Sequence, residues 1–366
     1  MMPILPFLQT ILRARQLVRM LASEEVIVID GLQNDYDVVV IGGGAAGLSG
    51  AQMLARARRS VVVIDAGSPR NAPAAGAHGL LGLDGIKPNE LLERGRAEVR
   101  RYGGQVVSGE VVRAGRDGAG FTVTLDDRRT VGARRLLVTT GLVDELPNLP
   151  GVRERWGKDV LHCPYCHGWE VRDRAIGVLA SNQMAVHQAL LFRQWSDDVT
   201  LFTHTVTAPT GEQAEQLAAR GIKVAPSEVI SLDIADDRLI GVRLADGTRV
   251  DRDVLVVAPR MVARAKFLEP LGLHTIEHST GLGEYIPADA HGRSEVPGVW
   301  VAGNVTDLTA QIGVAAAAAA SAAAQINADL VAEETNLAVQ ARRSPFSAET
   351  EARLCAQVMG ERRHGL

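Results

Sequence analysis

The chain has 366 residues, more than twice the length of an ordinary domain, and 46% apolar residues suffice for a large core divided between two domains. Its 39 basic and 43 acidic side chains leave a formal charge near −4, which argues against nucleic acid as a partner, since phosphate binding wants a concentrated basic surface. Three cysteines cannot make a disulfide framework, so a reducing compartment, most simply the cytoplasm, is expected.

Residues 1–34 carry an apolar run broken by Arg13, Arg15 and Arg19, with no basic segment ahead of it and no small-residue cleavage site. This is a poor signal peptide; it reads as a loosely attached extension, with a membrane-touching amphipathic helix as the alternative. Val38 to Ile41 is a short apolar run of the kind a buried parallel strand needs. Gly-Gly-Gly-Ala-Ala-Gly follows at 42–47, then a helix with Leu48, Met53 and Leu54 on its apolar side, then a strand from Val61 to Ile64 that ends at Asp65. The unit is βαβ with G-x-G-x-x-G at its first turn. Gly42 allows the turn, Gly44 lets backbone approach a pyrophosphate, and Gly47 permits close helix–strand packing. A pyrophosphate would lie at the positive end of the helix, with Asp65 suited to a ribose hydroxyl.

A helix is predicted from Lys87 to Gly103, introduced by Pro88 and stopped by Gly103-Gly104. Three candidate strand segments follow (VVSGEVVRA, GFTVTLDD and TVGARRLLVTTG), which fit an antiparallel insertion feeding back into the parallel sheet. A second unit reads as a strand at 175–179, a helix at 184–195 and a strand at 199–202. Segments at 221–224, 229–232 and 239–244 are expected to continue the alternation, and 253–258 to close it. The chain then returns through VPGVWVAGNVTD to a strand and an alanine-rich helix at 313–324. That apolar run is too short and small-sided to span a bilayer, so no integral membrane segment is expected; it suits a helix pressed closely against a neighbour. The last thirty residues have dispersed charge and one helical stretch around 347–359, where Cys355 reads as a structural or surface thiol.

Cys163-Pro164-Tyr165-Cys166-His167-Gly168 is the second chemical signal. Two residues between cysteines let both sulfurs share the first turn of a helix and close a disulfide, and a helix N-terminus favours the nucleophilic thiolate. Half of a zinc site is the rival reading, but no second cysteine pair follows, and no metal is assigned. His167 could move a proton during exchange; His162 is a weaker candidate. His78, in a glycine-rich loop, lies either at a cofactor edge or in solvent.

In this order the motifs resemble the low-molecular-weight thioredoxin reductase family over about residues 35–335. They are GGGAAG, the Thr139-Thr140-Gly141 segment, the C-x-x-C, and GVWVAGNV followed by Gln311. The resemblance implies an α/β fold of two Rossmann-like three-layer nucleotide-binding domains, the second inserted in the first. Its parts would be an extension at 1–34, an FAD-binding domain at 35–155 and 285–335, an inserted NAD(P)-binding-like domain with the C-x-x-C at 156–284, and a tail at 336–366. It also implies FAD as cofactor and a homodimer. By the same resemblance Gly42, Gly44, Ala45, Ala46 and Gly47 would hold the pyrophosphate, and Asp65 the adenosine ribose. Asn71, Gly141 and Gly303 would lie along the cofactor, with Asn304, where the family usually has aspartate, at the ribityl chain and Gln311 and Ile312 at the isoalloxazine. Cys166 would face the flavin and Cys163 the external partner.

Three departures from the family pattern bear on function. His167 stands where the family has an acid. Ala180-Ser181-Asn182-Gln183-Met184-Ala185 replaces the second glycine motif, and Thr203-His204-Thr205 replaces the basic 2′-phosphate grip. NAD(P)H is therefore a doubtful cofactor. The CPYCHG form is similar to flavin-dependent dithiol oxidases that close disulfides in small sulfur-containing molecules, with oxygen as acceptor. The expectation is an FAD-dependent thiol-disulfide oxidoreductase acting on a small dithiol or disulfide, or on a thioredoxin-like protein. The alternatives are an oxygen-dependent dithiol oxidase and a non-enzymatic flavin redox sensor.

Overall fold

Strand β1 (Asp35–Ile41) places Val38, Val39 and Val40 wholly inside the protein, as a central parallel strand covered on both faces requires. The computed structural model describes residues 32–182, 184–343 and 348–359. The expected extension at 1–34 thus lies outside the described residues except for its last three. Beside β1 run the parallel strands β2 (Val61–Asp65) and β3 (Gln105–Ser108), reached through helices α1 (Ala45–Arg56) and α2 (Pro88–Arg101). The next three strands are β4 (Val111–Asp117), β5 (Gly120–Leu125) and β6 (Thr130–Val138), an antiparallel meander whose last member returns parallel to β1. This is the insertion expected from the sequence, except that VVSGEVVRA forms two strands broken at Gly109-Glu110.

The chain leaves this sheet through β7 (Leu142–Glu145) and the short helix α3 (Val152–Arg155). A second parallel sheet follows, using β8 (Val160–Leu161), β9 (Ile176–Leu179), β10 (Val199–Phe202) and β11 (Lys223–Ala225). Helices α4 (Pro164–His167), α5 (Ala185–Phe192) and α6 (Glu212–Ala219) connect them. The expected alternation stops there. Strands β12 (Val229–Ala235), β13 (Arg238–Leu244) and β14 (Arg249–Val250) make a separate antiparallel sheet. The reason is local: Asp236 and Asp237 both have positive φ, 49° and 54°, the conformation of a two-residue hairpin turn. Strand β15 (Val254–Val256) then completes the parallel sheet, in the order β11-β10-β9-β15-β8.

On the way back β16 (Arg260–Ala263) pairs antiparallel with β7, so the outgoing and returning connections run side by side. The strands β17 (Ile276–Glu277) and β18 (Gly283–Tyr285) widen this into a four-stranded sheet. Strand β19 (Val299–Val301) rejoins the first sheet beside the end of β6.

The alanine-rich run opens helix α7 (Ile312–Arg343), which is 32 residues long and thus far longer than the expected 313–324. By length and composition alone it could cross a membrane. Its surroundings are those of a core helix: Ala315, Ala319, Ala322, Ala323, Ile326 and Leu330 are buried in the first core. A side chain at Gly50 of α1 would meet the Leu137 side chain and stand 3.3 Å from Ala319 O, so the two helices need a glycine to approach. Ion pairs Arg59–Glu334 (2.5 Å) and Arg135–Asp329 (2.6 Å) fasten its outer face to the sheet side. Helix α8 (Ala348–Met359) falls at the expected tail helix and carries Cys355 exposed.

Two Rossmann-like α/β layers result, with the second sheet entirely between two halves of the first in chain order.

Candidate functional site

The site begins where β1 ends. Gly42 has φ +106°, and a Cβ there would stand 2.5 Å from Thr139 O. Thr139 Oγ1 donates to Ile41 O (3.1 Å) and Gly42 O (2.9 Å), tying the end of β6 to the turn. A Cβ on Gly47 would overlap Gly42 O, so this glycine lets α1 pack onto the turn. Gly44 differs: nothing lies within 4 Å of where its Cβ would be, and it is the N-cap of α1 without a side-chain cap. The helix end therefore presents backbone to open space, where a phosphate gains from N–H groups and the helix dipole.

That open space is a cavity of about 870 Å³, within the range of about 300–1,000 Å³ usual for cofactor and ligand sites. Gly42, Gly44, Ala45, Ala46, Asp65, Asn71 and Gly141 line one part, and Asn304, Gln311 and Ile312 another. Cys163, Cys166 and His167 lie in the same wall system. Of the residues expected at the site, Gly47 and Gly303 do not line it. Gly47 packs behind the turn. Gly303 has φ +75°, and a Cβ there would stand 2.9 Å from Ala46 Cβ, so it lets the returning chain pass close to α1.

Two side chains are more committed than the sequence suggests. Asp65 Oδ2 accepts from Arg96 Nη2 (2.8 Å) and Oδ1 from Gly67 N (3.1 Å), leaving further lone pairs for a ribose hydroxyl. Asn304 Nδ2 donates to Asp307 O (2.9 Å) and Ala310 O (2.9 Å), holding the loop that leads to Gln311 and α7. An aspartate could make neither bond, which gives the asparagine its own structural task. The open Gly44 cradle, the uncapped helix end, and Asp65 at the tip of β2 together fit the two phosphates and ribose of FAD.

Cys163 and Cys166 are disulfide-bonded, with Cα atoms 5.3 Å apart. Cys163 is the N-cap of α4, and Cys166 N donates to Cys163 Sγ at 3.2 Å. An N–H aimed at this sulfur is placed to stabilise negative charge on it when the pair opens. Gly168 ends the motif because a Cβ there would stand 2.7 Å from the Trp195 ring, which packs edge-on to Tyr165. Burial pushes the His167 imidazole below its ordinary 6.5, opposed by Glu170 and reinforced by His78. Burial also pushes His162 down, with the Arg70 guanidinium adding to the effect. His162 Nδ1 lies 3.3 Å from Val257 O, and Gln188 Nε2 donates to His162 O (2.9 Å). His78 is neither merely solvated nor distant; it lines the cavity.

Sequence reasoning missed several wall residues. Arg70 makes a two-point ion pair with the buried Asp144, at 2.8 and 2.7 Å, and Arg264 and Trp156 also line the cavity. No spacing marks them, because Arg70 and Asp144 lie 74 positions apart and meet only through β7.

The second nucleotide-binding position has different geometry. At the end of β9, Ser181 Oγ donates to Ala258 O (2.9 Å), and Asn182 Oδ1 accepts from Met184 N (2.9 Å) at the start of α5. Beyond β10, Thr203 is buried and His204 Nδ1 accepts from Val229 N (3.2 Å).

Two Rossmann-like layers, an open glycine turn and a closed cysteine pair on one cavity define a flavoprotein oxidoreductase of the disulfide-containing kind. The chain belongs to the pyridine nucleotide-disulphide oxidoreductase family, whose profile matches residues 36–324. It is 31% identical over 282 residues to thioredoxin reductase tcpT of Claviceps purpurea, covering 74% of this chain and 87% of that one. With thioredoxin reductase of Listeria innocua it shares 24% identity over 331 residues, 88% of this chain and 99% of the relative. The solved structure of HlmI superposes with a TM-score of 0.81 at 46% identity, covering 86% of this chain and 99% of that one. An oxidoreductase from Agrobacterium tumefaciens gives 0.76 at 34% identity, covering 81% and 99%.

Proposed function

We propose that this protein is an FAD-dependent thiol-disulfide oxidoreductase running toward oxidation of a small external dithiol. The observation that carries this reading is the Cys163–Cys166 disulfide in the wall of the cavity that starts at the Gly44 cradle. FAD, when bound, supplies two-electron redox chemistry that the side chains lack.

The chain's own part is thiol-disulfide exchange. A substrate thiolate attacks Cys163 Sγ, the Cys163–Cys166 bond breaks, and Cys166 leaves as the thiolate. The second substrate thiol then attacks the mixed disulfide, closing the substrate disulfide and releasing Cys163. His167, depressed by burial and so neutral near pH 7, is ready to accept a proton from an incoming thiol. Cys163, supported by Cys166 N, is the sulfur suited to the outside partner.

The direction rests on the second nucleotide-binding position. Asn182 occupies the N-cap N–H of α5, one of the donors a pyrophosphate would use, and His204 is turned to Val229 rather than to a phosphate. NADPH-driven reduction of a thioredoxin-like protein is the second reading, favoured by the thioredoxin reductase names of the relatives.

The test supplies dithiothreitol in air with no pyridine nucleotide. Catalytic oxygen consumption matched by oxidised dithiothreitol supports the oxidase; no turnover with dithiols, and rapid thioredoxin reduction with NADPH, supports the reductase instead.

A further inference from the structure

His78 is an ionisable cavity group that the exchange chemistry above does not use. It sits in a tight loop, closed by Ala77 N donating to Ile86 O (2.8 Å) and Gly85 N donating to Ala77 O (2.9 Å). The loop is shaped around the ring: a Cβ on Gly76 would stand 3.2 Å from His78 Nε2. Asp84 Oδ2 lies 3.2 Å from Nδ1, and Gly79 N donates to the other Asp84 oxygen (3.0 Å), fixing that carboxylate. Across from it, Glu170 Oε1 lies 3.6 Å from Nε2; it comes from the segment just after α4. Each ring nitrogen therefore faces a carboxylate, one from its own loop and one from the cysteine side. The third titratable group facing the ring is His167, which lies within its electrostatic reach.

The exchange has two protons to place. Two substrate S–H bonds and the Cys163–Cys166 bond break and one substrate S–S bond forms; Cys163 takes one proton back, Cys166 stays a thiolate, and the other proton leaves for solvent. One imidazole beside Cys166 serves one proton at a time. We propose that His78, oriented by Asp84, is the second proton-handling residue of the disulfide site, passing a thiol proton between the cavity and solvent. A neutral imidazole that donates from Nδ1 to Asp84 keeps Nε2 as an acceptor, so it can gain a proton on the cavity side and lose one on the Asp84 side. Asp84 is the positioning residue, and its exposed carboxylate (68%) gives the outward end of the path. This inference rests on the thiol-disulfide exchange proposed above.

The test follows opening of the Cys163–Cys166 disulfide in FAD-loaded protein by dithiothreitol, quenched with an alkylating reagent and counted by mass, from pH 5.5 to 9. The proposal expects His78→Gln to retain FAD and slow opening by roughly 100-fold, with loss of one limb of the pH profile. His78→Ala should be partly restored by added imidazole, and Asp84→Asn should shift the profile without removing it. Wild-type rates and profile in His78→Gln overturn the proposal while leaving the exchange reading intact. A uniform slowing with an unchanged profile and no imidazole rescue also overturns it, as the mark of a structural role. If dithiothreitol fails to open the wild-type disulfide, the exchange reading itself falls, and this inference with it.

Discussion

Asn182 Oδ1 accepts a hydrogen bond from Met184 N at 2.9 Å, so the N-cap N–H of α5 is already engaged by the chain's own side chain. A helix terminus binds a phosphate through free N–H groups, and one already satisfied offers little gain. With His204 engaged by Val229 N and no arginine in Thr203-His204-Thr205, the 2′-phosphate has no clamp either. Isothermal titration with NADPH and NADH is expected to show no saturable binding below about 1 mM. A dissociation constant in the micromolar range would contradict this account of the second site.

Gly44 and Gly47 belong to one motif but are predicted to fail differently. Gly44→Ala adds a methyl into open cavity, so the apoprotein should lose about 1 kcal/mol or less, while FAD is released on desalting. Gly47→Ala drives a methyl into Gly42 O and should cost about 3 kcal/mol in urea unfolding, with or without cofactor. Equal stability loss in both variants would mean that the open cradle at Gly44 does not face the cofactor.

These two glycines also mark how far the sequence could be read. The βαβ unit and the C-x-x-C are local patterns, with residues whose spacing alone dictates geometry. The sheet joining β7 to β16 is not local: its two strands are four residues each and lie more than a hundred positions apart, so no periodicity announces it. The same non-locality hides the Arg70–Asp144 pair. The turn at Asp236-Asp237 was readable in principle, since aspartates tolerate positive φ, but the alternating pattern around it masked a hairpin. Asn304 was legible as a cofactor neighbour, whereas its hold on Asp307 and Ala310 needed the folded loop.

Reduction should reveal unequal cysteines. Because Cys166 N donates to Cys163 Sγ, Cys163 is expected to alkylate first with limiting iodoacetamide at pH 7, by about tenfold or more in peptide mapping. Faster labelling of Cys166 would reverse the assigned roles of the two sulfurs.

Acid should destabilise the fold through its half-buried histidines. His162 and His167 are both held below 6.5, chiefly by burial. Between each depressed value and 6.5 the unfolded chain binds more protons than the folded one, so stability is present above about 6.5 and is lost as pH falls below it. Melting temperature should therefore drop between pH 7 and 5, and His162→Gln should flatten that drop. An unchanged slope in the variant would show that His162 is not among the groups responsible.

The most direct measurement of the central claim follows flavin absorbance in anaerobic FAD-loaded protein after adding dithiothreitol, NADPH or NADH in separate cuvettes. The account predicts rapid bleaching by the dithiol alone, colour returning when air is admitted, and loss of the dithiol response in Cys166→Ser. Rapid bleaching by NADPH with none by dithiol would contradict it.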